Sequence, residues 1–271
     1  WPNEFVHIRA HDGPGHETLA RRVGDLLVPL RYAKESAWGL TPLNRNQRMA
    51  FELLMDPTVP FVTITGGAGS GKTIMATAVA LEKVIEQGEY RKIVFVRPTV
   101  AAGNDIGYLP GTEEEKLRPW MGSFYDAIEN LMLSRKNTRE DFNRPGRPRA
   151  DKPDFSVENF IETYRSKGII ETKTFTYMRG RTLSNALVIV DEAQELTPHL
   201  AKLMLTRAGF GAKFVFLGDP SDNQIDNVLV DARSNGLVYT VERMKAFDIT
   251  GHVALEEVER SPLAGIAERY M

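Results

Sequence analysis

Cysteine is absent from the 271 residues of this chain. Disulfides, thiolate catalysis and cysteine metal sites are thereby excluded, and a reducing, cytoplasmic setting is expected. Long apolar runs are missing too. No uninterrupted stretch reaches the ~18 residues needed to cross a bilayer, so no membrane association is expected. Neither sign of charge is in excess: 34 basic residues face 36 acidic ones, for a net charge of −2. Proteins that coat nucleic acid are usually strongly basic, so any nucleic-acid surface here must be local. Internal repeats, a secretory signal and an Asn-Lys-x-Asp guanine motif are also lacking. His7, His11 and His16 have no metal-ligand spacing and are expected as solvated loop residues. The chain opens on Trp1 rather than Met, as a piece excised from a longer protein would. What is present is 42% apolar residues, enough for one large domain, or one domain with additions.

The informative stretch is Phe61–Thr73, Phe-Val-Thr-Ile-Thr followed by Gly-Gly-Ala-Gly-Ser-Gly-Lys-Thr. The first part reads as a buried strand. Gly66–Thr73 fits G-x-x-x-x-G-K-[ST], the phosphate-binding loop pattern. Gly67, Gly69 and Gly71 allow turns that a Cβ would block, so that the N–H groups of Gly67, Ala68, Gly69, Ser70 and Gly71 converge on phosphate oxygens. The helix that follows adds its positive end. Lys72 is expected on the β- and γ-phosphates and Thr73 on Mg²⁺.

Strand-like and helix-like segments alternate after this point, which implies an α/β fold with a mainly parallel sheet covered by helices on both faces. Thr41–Met55 reads as a helix capped by Thr41 and Pro42. On it Asn44 and Gln47 offer amides suited to an adenine edge. Strands are expected at Lys92–Val96, Ile169–Phe175, Leu187–Asp191, Lys213–Leu217 and His252–Val258. Helices are expected at Ile74–Ile85, Glu113–Leu133, Val157–Tyr164, Pro198–Arg207, Leu237–Ala246 and Ser261–Tyr270. Residues 1–40 read as an N-terminal arm or interdomain connector, and residues 41–271 as the main domain. Within it, residues 134–153 are rich in Arg, Lys and Pro and read as a basic flexible insertion.

A second signal is Asp191-Glu192, two carboxylates closing an apolar strand. Asp191 suits the Mg²⁺ shell and Glu192 suits activation of an attacking water, which favours hydrolysis over phosphate transfer to an acceptor. Gln224, after Gly218-Asp219, is the candidate sensor of the γ-phosphate. Arg260 is the first candidate for an arginine finger, with Arg179, Arg181 and Arg207 as others.

Gly66–Thr73, Arg97–Pro110, Tyr177–Leu183, Val190–Gln194 and Gln224–Asp226 together resemble the PhoH family, RecA-like ATPases related to superfamily 1 helicases. The resemblance covers about Leu40 to Met271 and extends to the version fused behind a PIN ribonuclease domain, whose acidic cluster has no counterpart in Trp1–Leu40. It implies ATP and Mg²⁺ as ligands, single-stranded RNA as partner, RNA helicase activity and a homo-hexameric ring. Arg97, Arg179 and Arg181 become candidate RNA contacts. One departure stands out: Gly218-Asp219-Pro-Ser-Asp-Asn-Gln224 carries two more residues than the family's usual spacing. The length also favours a ring, since one RecA-like domain leaves the trans arginine to a neighbouring copy. The competing reading is an ATP-gated assembly or regulatory switch without motor action.

Overall fold

The computed structural model of the chain describes residues 1–9, 17–32, 35–98, 118–140, 156–178, 180–257 and 270. Six strands form one parallel sheet: β4 (Phe61–Gly66), β5 (Lys92–Arg97), β6 (Ile170–Thr174), β7 (Ala186–Val190), β8 (Lys213–Gly218) and β9 (Thr250–Leu255). Their order is β6-β5-β7-β8-β4-β9, and every pairing is parallel. Strands buried on both faces need apolar residues at every position. β7, Ala-Leu-Val-Ile-Val, is buried along its whole length, as is β8.

Alternate strand residues feed two cores. On one face Ile64, Ile93, Phe95, Ile189, Val215 and Leu217 pack against four helices. These are α1 (Arg45–Met55), α2 (Lys72–Leu81), α3 (Gly122–Glu140) and α4 (Val157–Ser166). On the other face Val94, Val96, Val188, Val190, Phe214 and Phe216 meet α5 (Pro198–Leu205) and α6 (Gly236–Met244). The expected fold class, mainly parallel α/β with both faces covered, is therefore what the chain adopts. No helix among the described residues is long and apolar enough to cross a membrane.

Several boundaries differ from expectation, each for a local reason. α1 begins at Arg45, because Asn44 and not Thr41 caps it, its side chain accepting from the Gln47 N–H at 2.9 Å. α2 widens into a π-helical turn over Glu82–Glu86, whose ends hold Trp38: Glu82 accepts its backbone N–H at 3.0 Å and Glu86 its indole N–H at 3.1 Å. α3 runs on to Glu140, so Ser134–Glu140 is helical rather than part of a flexible insertion. The expected final helix at Ser261–Tyr270 lies, apart from Tyr270, outside the described residues, as does the Ala101–Pro110 loop.

The N-terminal segment forms an antiparallel meander, β1 (Phe5–Arg9), β2 (Glu17–Val23) and β3 (Leu26–Pro29). It is attached to the sheet domain by apolar packing of Phe5 and by a buried polar contact. Arg21 of β2 donates to the Asp56 carboxylate at the end of α1, with side chains 5% and 3% exposed. Burial alone would raise the Asp56 pKa, but hydrogen bonds from Thr58 and Arg21 outweigh it and hold the group below its usual range. Its contribution to stability is therefore complete above the ordinary carboxylate range and lost as pH falls through the depressed value. Removing one member of a buried pair strands the other. Arg21→Ala is expected to lower stability by about 3–5 kcal/mol in urea unfolding at neutral pH, and a change inside ~1 kcal/mol would mean that the pair is not dry. Lys213, at the start of β8, ties the same corner by donating to the carbonyls of Leu53, Asp56 and Val59 at 2.7, 2.7 and 2.9 Å.

Candidate functional site

The carboxyl ends of β4, β5, β7 and β8 share one edge, where open parallel sheets bind ligands. β4 stops at Gly66 and α2 starts at Lys72, so residues 67–71 must reverse the chain within a short loop. Gly66, Gly69 and Gly71 do this at positive φ of 153°, 82° and 95°. Gly67, expected among the turning residues, is not one of them; Gly66 takes that part. A Cβ on Gly66 would lie 2.5 Å from the Leu255 carbonyl oxygen, so β9 can pass close only to glycine. Gly71 caps α2 without a side chain, so no capping side chain occupies the first-turn N–H groups. They are the donors a phosphate takes. The Lys72 ammonium folds back onto the Gly66 and Gly67 carbonyls, at 2.5 and 2.8 Å, over the loop it would leave to meet a phosphate.

Asp191 follows β7 directly and is buried. One carboxylate oxygen accepts from the Thr73 hydroxyl at 3.3 Å and the other from the Ser123 hydroxyl at 2.7 Å. Burial raises its pKa and the charge of Glu192 raises it further, against the Ser123 hydrogen bond and the positive charges of Arg97 and Lys72. Such a carboxylate gains most from a cation, and hydroxyl plus carboxylate oxygens are the donors Mg²⁺ takes. The donor set of Thr73 and Asp191 therefore fits a magnesium ion. Glu192 stands in the left-handed region at φ 53°, a conformation that costs a non-glycine residue about 1 kcal/mol or more. Its side chain is 38% exposed at the same edge. Gln194 donates to it at 2.6 Å, and the Arg97 guanidinium lies 3.4 Å away.

Two residues of this cluster carry no chemical signal of their own in the sequence. Ser123 reaches Asp191 because Phe124 beside it stacks on Phe95 of β5, with ring centroids 4.6 Å apart, which fixes α3 over the strand end. Gln194 is a three-way tie: its amide donates to Glu192 and to the Gln224 carbonyl at 3.1 Å, and its oxygen accepts from the Asp219 N–H at 3.2 Å. Gly218 makes room for it, since a Cβ there would collide with the Gln194 amide oxygen. The motif Asp-Glu-Ala-Gln contains Gln194, but only the fold gives it partners.

The remaining candidates fall as follows. Gln47 is buried and spends both ends of its amide, accepting from the Leu43 N–H at 2.8 Å and donating to the Ser70 carbonyl at 3.2 Å. It thus anchors α1 to the phosphate loop, beside the cap residue Asn44. The Ser70 hydroxyl closes the loop on the Gly67 carbonyl at 2.9 Å, and Ala68 is exposed at the tip. Gln224 is exposed and joins the site through its carbonyl. Arg97 lies inside the cluster, on Glu192 and on the Trp120 carbonyl at 3.3 Å, rather than on an outer surface. Arg181 is exposed, 3.9 Å from Glu171. Arg179 and Arg260 lie outside the described residues.

Comparison with known proteins identifies the family. The model of a family described as PhoH-like protein matches residues 39–270. Protein PhoH2 of Bacillus subtilis is 40% identical over 269 residues, which is 98% of this chain and 56% of that protein. Protein PhoH2 of Mycolicibacterium smegmatis is 34% identical over 96% of this chain and 53% of its own length. The chain thus spans about half the length of these curated relatives. Among solved structures, the Pif1 helicase from Candida albicans matches at 16% identity and a TM-score of 0.35, covering 81% of this chain and 41% of that one, too loose a likeness to carry an argument.

Proposed function

The chain belongs to the PhoH family, and on that premise we propose that it is a Mg²⁺-dependent ATPase whose turnover is coupled to single-stranded RNA in a ring of identical copies. The observation that carries the ATPase reading is the convergence of Thr73, Asp191 and Ser123 below a helix start that no side chain caps, with Glu192 alongside. The phosphate loop N–H groups and Lys72 bind and orient the terminal phosphates. Mg²⁺ on Thr73 and Asp191 would neutralise phosphate charge. Glu192 takes a proton from the attacking water as its oxygen bonds to phosphorus and the bridging oxygen leaves with ADP. Gln194 and Arg97 hold the Glu192 carboxylate for that task. Ser123 orients Asp191 through its 2.7 Å hydrogen bond. Ser123→Ala is expected to raise the Mg²⁺ concentration needed for half-maximal turnover by about 10–100-fold, as the loss of a group supporting a metal ligand does.

The ring and the RNA coupling are supported by the family resemblance alone. They are tested by ATP turnover with and without single-stranded RNA, by strand displacement, and by mass measurement in ADP and in a non-hydrolysable ATP analogue. A nucleotide-gated assembly without motor action is the second reading. It is favoured by the tie from Glu192 through Gln194 to the Gln224 loop, which a few residues on exposes Val228 and Leu229 by 96% and 76%. Nucleotide-dependent mass without RNA stimulation or strand displacement would select it.

A further inference from the structure

At the other end of the sheet, the amino ends of β5 and β6 open into a cleft of about 590 Å³. It lies roughly 20 Å from the nucleotide edge, the length of a six-residue strand. Its lining is cationic. Arg91 and Lys92 come from the start of β5, and Lys167 from the turn after α4. Thr182 and Ser184 add hydroxyls from the approach to β7.

Among the described residues, Glu171 is the one carboxylate in the lining. It is already engaged, by Lys92 at 2.7 Å and, more loosely, by Arg181 at 3.9 Å beside the cleft. Arg91 has no carboxylate partner among the described residues, and the Lys167 ammonium lies over the Tyr164 ring at 5.5 Å rather than on an acid. Among the described residues, positive charge in this cleft is thus left uncompensated, in a chain whose net charge is −2.

We propose that this cleft, formed by Arg91, Lys92, Lys167, Thr182 and Ser184, binds the phosphate backbone of single-stranded RNA, at a site separate from the nucleotide edge. The proposal rests on the RNA-coupled reading of the family fold. Ammonium, guanidinium and hydroxyl groups are the side chains that contact phosphate oxygens. A protein partner would look for an apolar or aromatic centre, and among the described residues the cleft offers only half-buried Ile169. Its described lining carries no aromatic ring on which bases would stack, so it holds the strand by charge.

The test is fluorescence anisotropy with a labelled oligouridylate across a salt series, using the full chain and the double variant Arg91→Glu/Lys167→Glu. Both residues are exposed, so the variant is expected to melt at the wild-type temperature and to keep its RNA-free ATP turnover. Affinity is expected to fall by at least about tenfold. The slope of log affinity against log salt is expected to shrink by about 1.4, as loss of two single-strand phosphate contacts requires. A milder variant, Arg91→Ala/Lys167→Ala, is expected to shift both quantities in the same direction. Unchanged RNA affinity in both variants would overturn the cleft while sparing the RNA reading. No RNA binding by the wild-type chain at low salt would overturn both. Binding of polyglutamate as tight as that of RNA, lost in the same variants, would make the partner an acidic polypeptide and overturn the nucleic-acid assignment.

Discussion

Glu192→Gln is expected to reduce ATP turnover by about 10²–10⁴-fold, the range over which a positioned general base acts, while leaving nucleotide affinity nearly unchanged. The amide is nearly isosteric, keeps a carbonyl oxygen for the Gln194 hydrogen bond, and loses only the charge and the proton-accepting power. Loss of the charge also frees Arg97, its 3.4 Å partner, so affinity for the terminal phosphate is expected to hold or to rise slightly. The removed negative charge also ceases to raise the pKa of Asp191, which favours the ionised form of that carboxylate and hence Mg²⁺. The measurement is single-turnover phosphate release beside equilibrium binding of a fluorescent ATP. A variant that hydrolyses at more than about a tenth of the wild-type rate would remove Glu192 from the base role.

Lys72→Ala is expected to fail at a different step. On the proposed mechanism its ammonium follows the terminal phosphates from ground state to transition state, and loss of such a preorganised donor costs about 10²–10³-fold in rate. Unlike Glu192→Gln, it should also weaken nucleotide binding, because the ammonium meets charge already present in bound ATP. In the structure Lys72 holds the carbonyls of Gly66 and Gly67. Those carbonyls lie at the loop rather than in the core, so water can replace the lost donor and the melting temperature should move little. Turnover above a tenth of wild type in Lys72→Ala would place the reacting phosphates elsewhere.

Much of the proposed nucleotide edge is legible in the sequence because the chemistry it would serve restricts residue type. A phosphate cradle needs glycines at set places. A buried strand that closes on two carboxylates, as at Asp191-Glu192, carries a desolvation cost that a bound cation offsets. The six sheet strands are legible for a related reason: runs such as Ala-Leu-Val-Ile-Val suit a doubly covered sheet and little else. Ser123 is not legible. It lies 68 residues from Asp191, on a helix whose seat is set by the Phe95–Phe124 stack. Asn44 and Gln47 read as adenine contacts by residue type, yet the structure gives both a local duty at the start of α1, a competition between side chain and backbone that spacing cannot resolve. Arg97 reads as an RNA contact, but it ends β5 next to β7, and that adjacency delivers it to Glu192. The strand Glu17–Val23 escapes the pattern because its buried centre pairs Ala20 with Arg21, and a buried arginine breaks the apolar alternation unless its partner Asp56 is known.

The central claim is that a phosphate held at Gly66–Thr73 is transferred to water beside Glu192. Its most direct test is hydrolysis of Mg·ATP by the purified chain in water labelled with heavy oxygen, followed by mass analysis of the products. Released inorganic phosphate is expected to carry oxygen from the water while ADP carries none, and both products should fall to background in Glu192→Gln. Phosphate release no greater than in Lys72→Ala, or a phosphoryl group found on an acceptor without water-derived oxygen, would contradict it.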